Sequence, residues 1–156
     1  MTTIAWDGHT LAADRGSWSG NMQTEVCKLF VFKDGEIGRK GFPPGGWAST
    51  GDWAFNHAFA QWLRDDSVSF PLLCKDASPD HSIGIWVTND GQVFRAHVRG
   101  ILTPVMGKIA AGGAGQMFAL GVLAMGGTAE RAISLAAVHT DAAAFGVDTW
   151  SPSCSR

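Results

Sequence analysis

The chain has 156 residues, with 12 Lys and Arg against 14 Asp and Glu for a net charge of -2, and 46% of its residues are hydrophobic. That length supports one domain with a substantial core, and its singly scattered basic residues form no stripe suited to nucleic acid or an anionic membrane. Cys27, Cys74 and Cys154 are widely spaced with no Cys-x-x-Cys pattern, so reduced thiols in a cytoplasmic protein are expected rather than a disulfide framework.

Met1 and Thr2 lead into Thr3-Ile4-Ala5-Trp6, with no basic and apolar leader of the secretory kind. Three Asp-Gly pairs then punctuate the chain, each between short β-prone runs, which is a strong hairpin signal. Asp7-Gly8 joins Thr2–Trp6 to His9–Ala13, Asp34-Gly35 joins Lys28–Phe32 to Glu36–Lys40, and Asp90-Gly91 joins Ile83–Thr88 to Gln92–Val98. Leu29-Phe30-Val31-Phe32 alternates only weakly, as in strands covered on both faces.

Between the second and third hairpins, Trp53, Asn56, Phe59 and Leu63 recur at helical spacing, giving an amphipathic helix from about Asp52 to Arg64. Asp52 reads as its cap or a first-turn charge, and Arg64–Asp80 as a loop or frayed helix end. Gly112–Gly115 opens a second helix, Gln116–Met125, which stops at Gly126-Gly127. Thr128 caps a third that runs to about His139, and small residues such as Ala119, Gly121, Ala132 and Ala136 suit helix contact. The glycines in Ile109–Met125 argue against a membrane span, and residues 150–156 read as a loose tail.

Strands followed by helices, with both sheet faces apolar, predict an α+β fold. Its expected form is a four-layer αββα sandwich of two antiparallel sheets flanked by helices, in a single domain spanning residues 1–156.

Thr2 carries the chemistry. Removal of Met1 would leave a threonine with a free α-amine, a nucleophile with its own base, because the amine can take the proton from the hydroxyl. An ordinary α-amine pKa of about 7.7–8.0 suits that role. Elsewhere the signals are weaker. His9, His57, His81, His97 and His139 never cluster at ligand spacing, so no metal is expected. Gly112-Gly113-Ala114-Gly115 lacks the third glycine of a dinucleotide fingerprint and the Gly-Lys-Ser/Thr of a P-loop, so no cofactor is expected. Cys27 reads as a small buried strand residue. Trp53, Phe55, Phe59 and Trp62 read as core and subunit contact.

Several segments carry a family resemblance in their order and spacing. They are Thr2-Thr3-Ile4, Leu11-Ala12-Ala13-Asp14-Arg15, Lys28-Leu29-Phe30, Gly46-Trp47-Ala48-Ser49-Thr50-Gly51-Asp52, Gly113-Ala114-Gly115, and Asp141 with Gly146. From Thr2 to about Asp148 the chain resembles the proteasome β-type family of N-terminal nucleophile hydrolases, and bacterial proteasome-like peptidases in particular. The resemblance implies Thr2 as nucleophile and Lys28 as the charge that depresses its amine. It also implies Asp14 as the partner of Lys28, Gly46 as the oxyanion donor, and Asp141 as an anchor of the terminus.

The same resemblance implies a threonine endopeptidase subunit of a ring-forming homo-oligomer. It would act on peptide or unfolded protein supplied by a separate ATPase unfoldase. Two departures stand out, since Ala114 and Ala144 occupy positions where such families carry serine. They motivate one alternative, a catalytically weak or inert proteasome-like assembly protein; a further alternative is a non-proteolytic amidohydrolase of the same terminal-nucleophile type.

Overall fold

The computed structural model describes residues 1–19, 21–71 and 82–152. The Asp7-Gly8 turn closes the first hairpin, β1 (Thr3–Trp6) on β2 (Leu11–Asp14), with Ile4 opposite Ala13 and Trp6 opposite Leu11. Asp7 accepts from the His9 and Thr10 amides at 2.9 and 2.7 Å, an Asx turn that sets the hairpin register. Two distant strands complete this sheet. β10 (Ala110–Gly113) pairs with β1, and β11 (Val147–Trp150) pairs with β2.

The second sheet runs in the order β5 (Leu29–Phe32), β6 (Gly45–Ser49), β7 (Ser82–Thr88), β8 (Val93–His97) and β9 (Ile101–Pro104), all antiparallel. Successive side chains of a strand face opposite ways, and here both faces are covered. Phe30, Trp47 and Trp86 pack against Phe55, Phe59 and Leu63 of α1 (Trp53–Arg64). Ala48, Ile85 and Val87, on the other face, meet Ile4, Trp6, Leu11 and Ala13 of the first sheet. The first sheet turns Ala5 and Ala12 toward α2 (Gln116–Ala124) and α3 (Ala129–His139). The layers are therefore α2 and α3, first sheet, second sheet, α1: the αββα sandwich expected from the sequence. A separate ribbon, β3 (Gly16–Ser19) on β4 (Met22–Glu25), projects from the end of β2.

Local signals hold at the helix ends. Asp52 accepts from the Phe55 amide at 2.8 Å and Thr128 from the Arg131 amide at 3.2 Å, each satisfying an otherwise orphaned helix donor. The second Asp-Gly pair needs correction, because Glu36–Lys40 forms no strand and β5 pairs instead with β6. The C-terminal end of α1 captures that segment. The Arg39 guanidinium donates to the carbonyls of Trp62, Asp65, Asp66 and Val68, and the Gly38 amide donates to Leu63 O. Free carbonyls at a helix end favour a cation, and that outcompetes a hairpin partner. Cys27 also departs from expectation, being exposed, since Lys28 takes the inward position beside it. Of the expected loop Arg64–Asp80, helix α1 ends at Arg64 and residues 72–80 lie outside the described residues, as do residues 153–156 of the expected tail.

Candidate active site

The end of β1 places Thr2 against three other segments. Asp14 closes β2 and Lys28 precedes β5, so the pairing of each sheet brings a carboxylate and an ammonium to the edge where the sheets meet. Lys28 Nζ donates to Thr2 Oγ1 at 2.9 Å and to both oxygens of Asp14 at 3.0 Å. It also donates to Gly16 O and, at 3.3 Å, to Met1 O. Thr2, Lys28 and Asp14 are all buried, and Asp14 has no exposed surface.

Asp14 organises more than the lysine. Its Oδ1 accepts from the Thr3 amide at 2.9 Å, and its Oδ2 from the Gly16 amide at 2.9 Å and the Ala144 amide at 3.3 Å. A buried carboxylate that accepts from this many donors fixes the chain around it. Burial pushes the Lys28 ammonium below its ordinary pKa of 10.5, while the charge and hydrogen bonds of Asp14 push it back up. The Met1 amine is also held below its ordinary 8.0, first by burial and then by the Lys28 charge, with Asp14 opposing.

The turn between β10 and α2 holds the terminal strand from the other side. Gly113 has φ +85°, and a Cβ there would lie 2.1 Å from Thr2 O; a Cβ on Gly115 would lie 2.1 Å from Thr3 Oγ1. Only glycine permits so close a backbone approach. Ala114 is exposed, so this turn acts through its missing side chains. The loop after α3 likewise contributes backbone. Thr3 Oγ1 donates to Ala142 O at 2.8 Å, and Ala144 joins through its amide to Asp14 and its carbonyl to the Arg15 amide.

The structure brings Thr2, Asp14 and Lys28 together and leaves the other two candidates outside. Asp141 is exposed, and the terminus is anchored by Asp14 and Ala142 O instead. Gly46 lies within the β6 ladder opposite Val31 and Val87. The Ser49 amide donates to Lys28 O at 2.8 Å, so Gly46 sits three residues, roughly 10 Å, further along the strand. Its lack of a side chain serves packing, because a Cβ there would meet the Trp150 ring at 2.4 Å.

The glycine beside Thr2 is Gly51. It shares with Thr2, Lys28, Trp18, Trp53 and Asn56 the wall of a cavity of about 70 Å³, to which Met1 also contributes. The Ser49 and Thr50 amides are committed to Lys28 O and Ile83 O, both at 2.8 Å. Among the described residues the Gly51 amide has no hydrogen-bond acceptor. Gly51 was not singled out in the sequence, although a signal was present: it directly precedes the Asp52 cap, where a glycine at φ +83° turns the chain into α1.

A larger cavity of about 470 Å³ lies on the other side of Thr50 and Gly51, between Ile4, Ile85 and Leu120. It is lined by neither Thr2 nor Lys28, both of which line the smaller cavity. Among the described residues no group of three His, Cys, Asp or Glu side chains could hold a metal, and no helix is long and apolar enough to cross a membrane.

No protein-family model and no curated protein matches the sequence. Solved structures do match. BPH from Thiobacillus denitrificans in complex with epoxomicin superposes with a TM-score of 0.66 at 15% identity, covering 97% of this chain and 98% of that one. A second structure of that BPH also gives 0.66 at 15%, covering 99% of both chains. Eukaryotic HslV from Trypanosoma brucei gives 0.57 at 14%, covering 96% of this chain and 97% of that one. BPH is a bacterial proteasome-like peptidase, and both BPH and HslV are N-terminal nucleophile hydrolases. This chain shares their fold over nearly its whole length.

Proposed function

We propose that the chain is a threonine endopeptidase subunit in which Thr2, uncovered by removal of Met1, attacks peptide bonds. The observation that carries this reading is the 2.9 Å hydrogen bond from Lys28 Nζ to Thr2 Oγ1, made while Asp14 holds the lysine. A buried ammonium donating to a hydroxyl oxygen stabilises that oxygen as negative charge develops on it. The hydroxyl proton remains available to a base, and the Thr2 α-amine is the base at hand.

In the proposed reaction the neutral α-amine takes the Oγ1 proton as Oγ1 bonds to the substrate carbonyl carbon. The resulting oxyanion accepts from the Gly51 amide. The carbon–nitrogen bond then breaks, and the leaving amine receives the proton from the Thr2 ammonium. Water, deprotonated by the same amine, adds to the ester, and release of the acid restores Thr2. Lys28 serves twice: it favours the developing alkoxide, and it lowers the pKa of the amine so that more is neutral at a given pH. While Met1 is present the Thr2 nitrogen is an amide, and Met1 O occupies one of the acceptor positions around Lys28.

The substrate on this reading is peptide or unfolded protein. The subunits assemble as a homo-oligomeric ring in the cytoplasm, and a separate ATPase supplies unfolding. A second reading, an inert or weak assembly protein, draws on the missing hydroxyls at Ala114 and Ala144 and the exposed Asp141. A third, a hydrolase of small amides, uses the same nucleophile.

Intact mass of the purified protein, with and without a peptide epoxyketone or vinyl sulfone, tests the choice. The peptidase reading expects loss of Met1, one probe per chain, and no labelling of Thr2→Ala. Retained Met1, or equal labelling of Thr2→Ala, sinks it. A processed protein that never labels favours the assembly role, and turnover of small amides without peptides favours the third.

A further inference from the structure

Asn56 is a costly residue for its position. It lies on α1 with 2% of its surface exposed, and its Oδ1 is buried without a hydrogen-bond partner. An unsatisfied buried acceptor carries the full desolvation penalty of its group and so weakens a fold. A leucine of similar size would avoid that cost, so packing does not explain an amide here. Its other half is engaged, since Nδ2 donates to Thr50 O at 2.9 Å. That bond also sets which way the amide faces, because only the nitrogen can donate to a carbonyl.

Thr50 O and the Gly51 N–H belong to the same peptide unit. A trans peptide is planar, with its carbonyl and its N–H pointing in opposite directions. Holding Thr50 O against Asn56 therefore turns the Gly51 N–H away from that amide. The choice is not made locally, because Gly51, at φ +83°, tolerates backbone conformations that other residues resist. A flipped plane would present the Thr50 carbonyl, a negative dipole end, where the N–H had been.

Resting on the peptidase reading above, we propose that Asn56 is the positioning residue of the oxyanion site. Its Nδ2 locks the Thr50–Gly51 peptide so that the Gly51 amide faces the carbonyl attacked by Thr2. Asn56 does not touch the reacting atoms. It acts through one hydrogen bond and one rigid plane, and the unpaired Oδ1 is the stability given up for that placement.

The test compares wild type, Asn56→Leu and Asn56→Ala as Met1-free proteins. Kinetics use a fluorogenic peptide, with thermal unfolding and crystal structures measured alongside. A flipped plane removes one oxyanion donor, so kcat should fall roughly 10²–10³-fold. KM should change little, and Asn56→Leu should unfold no earlier than wild type. Its structure should show the Thr50–Gly51 peptide turned over or mixed. A kcat that holds within about threefold, or a fall in kcat that tracks KM or Tm, overturns the proposal. The fallback of Asn56→Ala covers the case in which leucine does not fit. If wild type has no turnover, the peptidase reading fails by itself and the crystal structures still decide the positioning role. A plane unmoved in both folded variants overturns it; a reoriented plane supports it.

Discussion

Lys28 Nζ sits 3.0 Å from each carboxylate oxygen of Asp14, in a pair whose side chains are 6% and 0% exposed. Few places in the molecule join so much. The pair links β2 to the start of β5, and through Asp14 it reaches Thr3, Gly16 and Ala144 as well. The nucleophile candidate hangs from its other side.

Breaking that pair should be severe. Asp14→Ala leaves a buried ammonium uncompensated, and such losses run to about 3–5 kcal/mol. In a chain of this size about 1 kcal/mol moves Tm by roughly 2–4 °C, so a fall of roughly 10 °C is expected in a thermal melt. Lys28→Met in the Asp14→Ala background should restore part of the loss, since the two residues act on one interaction. Additive losses would show that the contact is incidental.

The pH dependence of Thr2 labelling should report the lysine. Burial first, and then the Lys28 charge, hold the Met1 amine below its ordinary 8.0, and after processing the amine is that of Thr2, whose hydroxyl Lys28 already contacts. An amine with a depressed pKa is neutral at lower pH, so the labelling rate should rise with pH with a midpoint below 8.0. In Lys28→Met the midpoint should move up, whatever happens to the maximal rate. A midpoint that stays put removes Lys28 from the control of the base.

Gly46→Ala separates packing from chemistry. The new methyl would strike the Trp150 ring, whose nearest atom lies 2.4 Å from an ideal Cβ. Overpacking of this kind costs about 1–3 kcal/mol. Denaturant unfolding should show that loss, while the labelling rate per folded Thr2 stays within about twofold. A large rate loss in a stable Gly46→Ala protein would return the oxyanion role to Gly46.

Asp7 gives a second pH test, remote from the site. Beyond the hairpin turn, its Oδ2 accepts from the Ala129 amide at 2.8 Å, at the first residue of α3. Burial pushes this carboxyl's pKa up, but the backbone donors Ala129, Thr10 and His9 outweigh it and hold it below its ordinary 3.8. A depressed carboxyl contributes stability that is complete above its unfolded value and disappears as pH falls through the folded one. Asp7→Asn should therefore be less stable than wild type by about 1–2 kcal/mol near neutral pH. The gap should close below pH 3.8. Urea midpoints across that range check it, and a gap independent of pH would count against the ionised carboxylate.

What the residue order determined by itself was what neighbours along the chain can settle. Asp7-Gly8 and Asp90-Gly91 turn back into their own strands, and Asp52 and Thr128 cap their helices, while a threonine directly after Met1 offers a nucleophile and base on one residue once Met1 is removed. These features rest on hydrogen bonds within a few residues or on the chemistry of a single one. The pairing of Lys28 with Asp14 was expected from the family resemblance, and the two residues do meet as a buried ion pair.

Tertiary structure decided what depends on partners far along the chain. The register between β5 and β6 decided where Gly46 lies, because pairing Lys28 with Ser49 set Gly46 away from Thr2 and placed it under Trp150. Carbonyls in the last turn of α1 and in the segment just after it took Arg39, and with it Glu36–Lys40, out of the hairpin. The strands β10 and β11 exist as the flanks of β1 and β2, more than ninety and more than one hundred and thirty residues away respectively. The Thr3 amide found its anchor in Asp14, which left Asp141 in solvent. A strand's register and a carboxylate's partner are set by which surfaces bury together, and no local pattern encodes that choice.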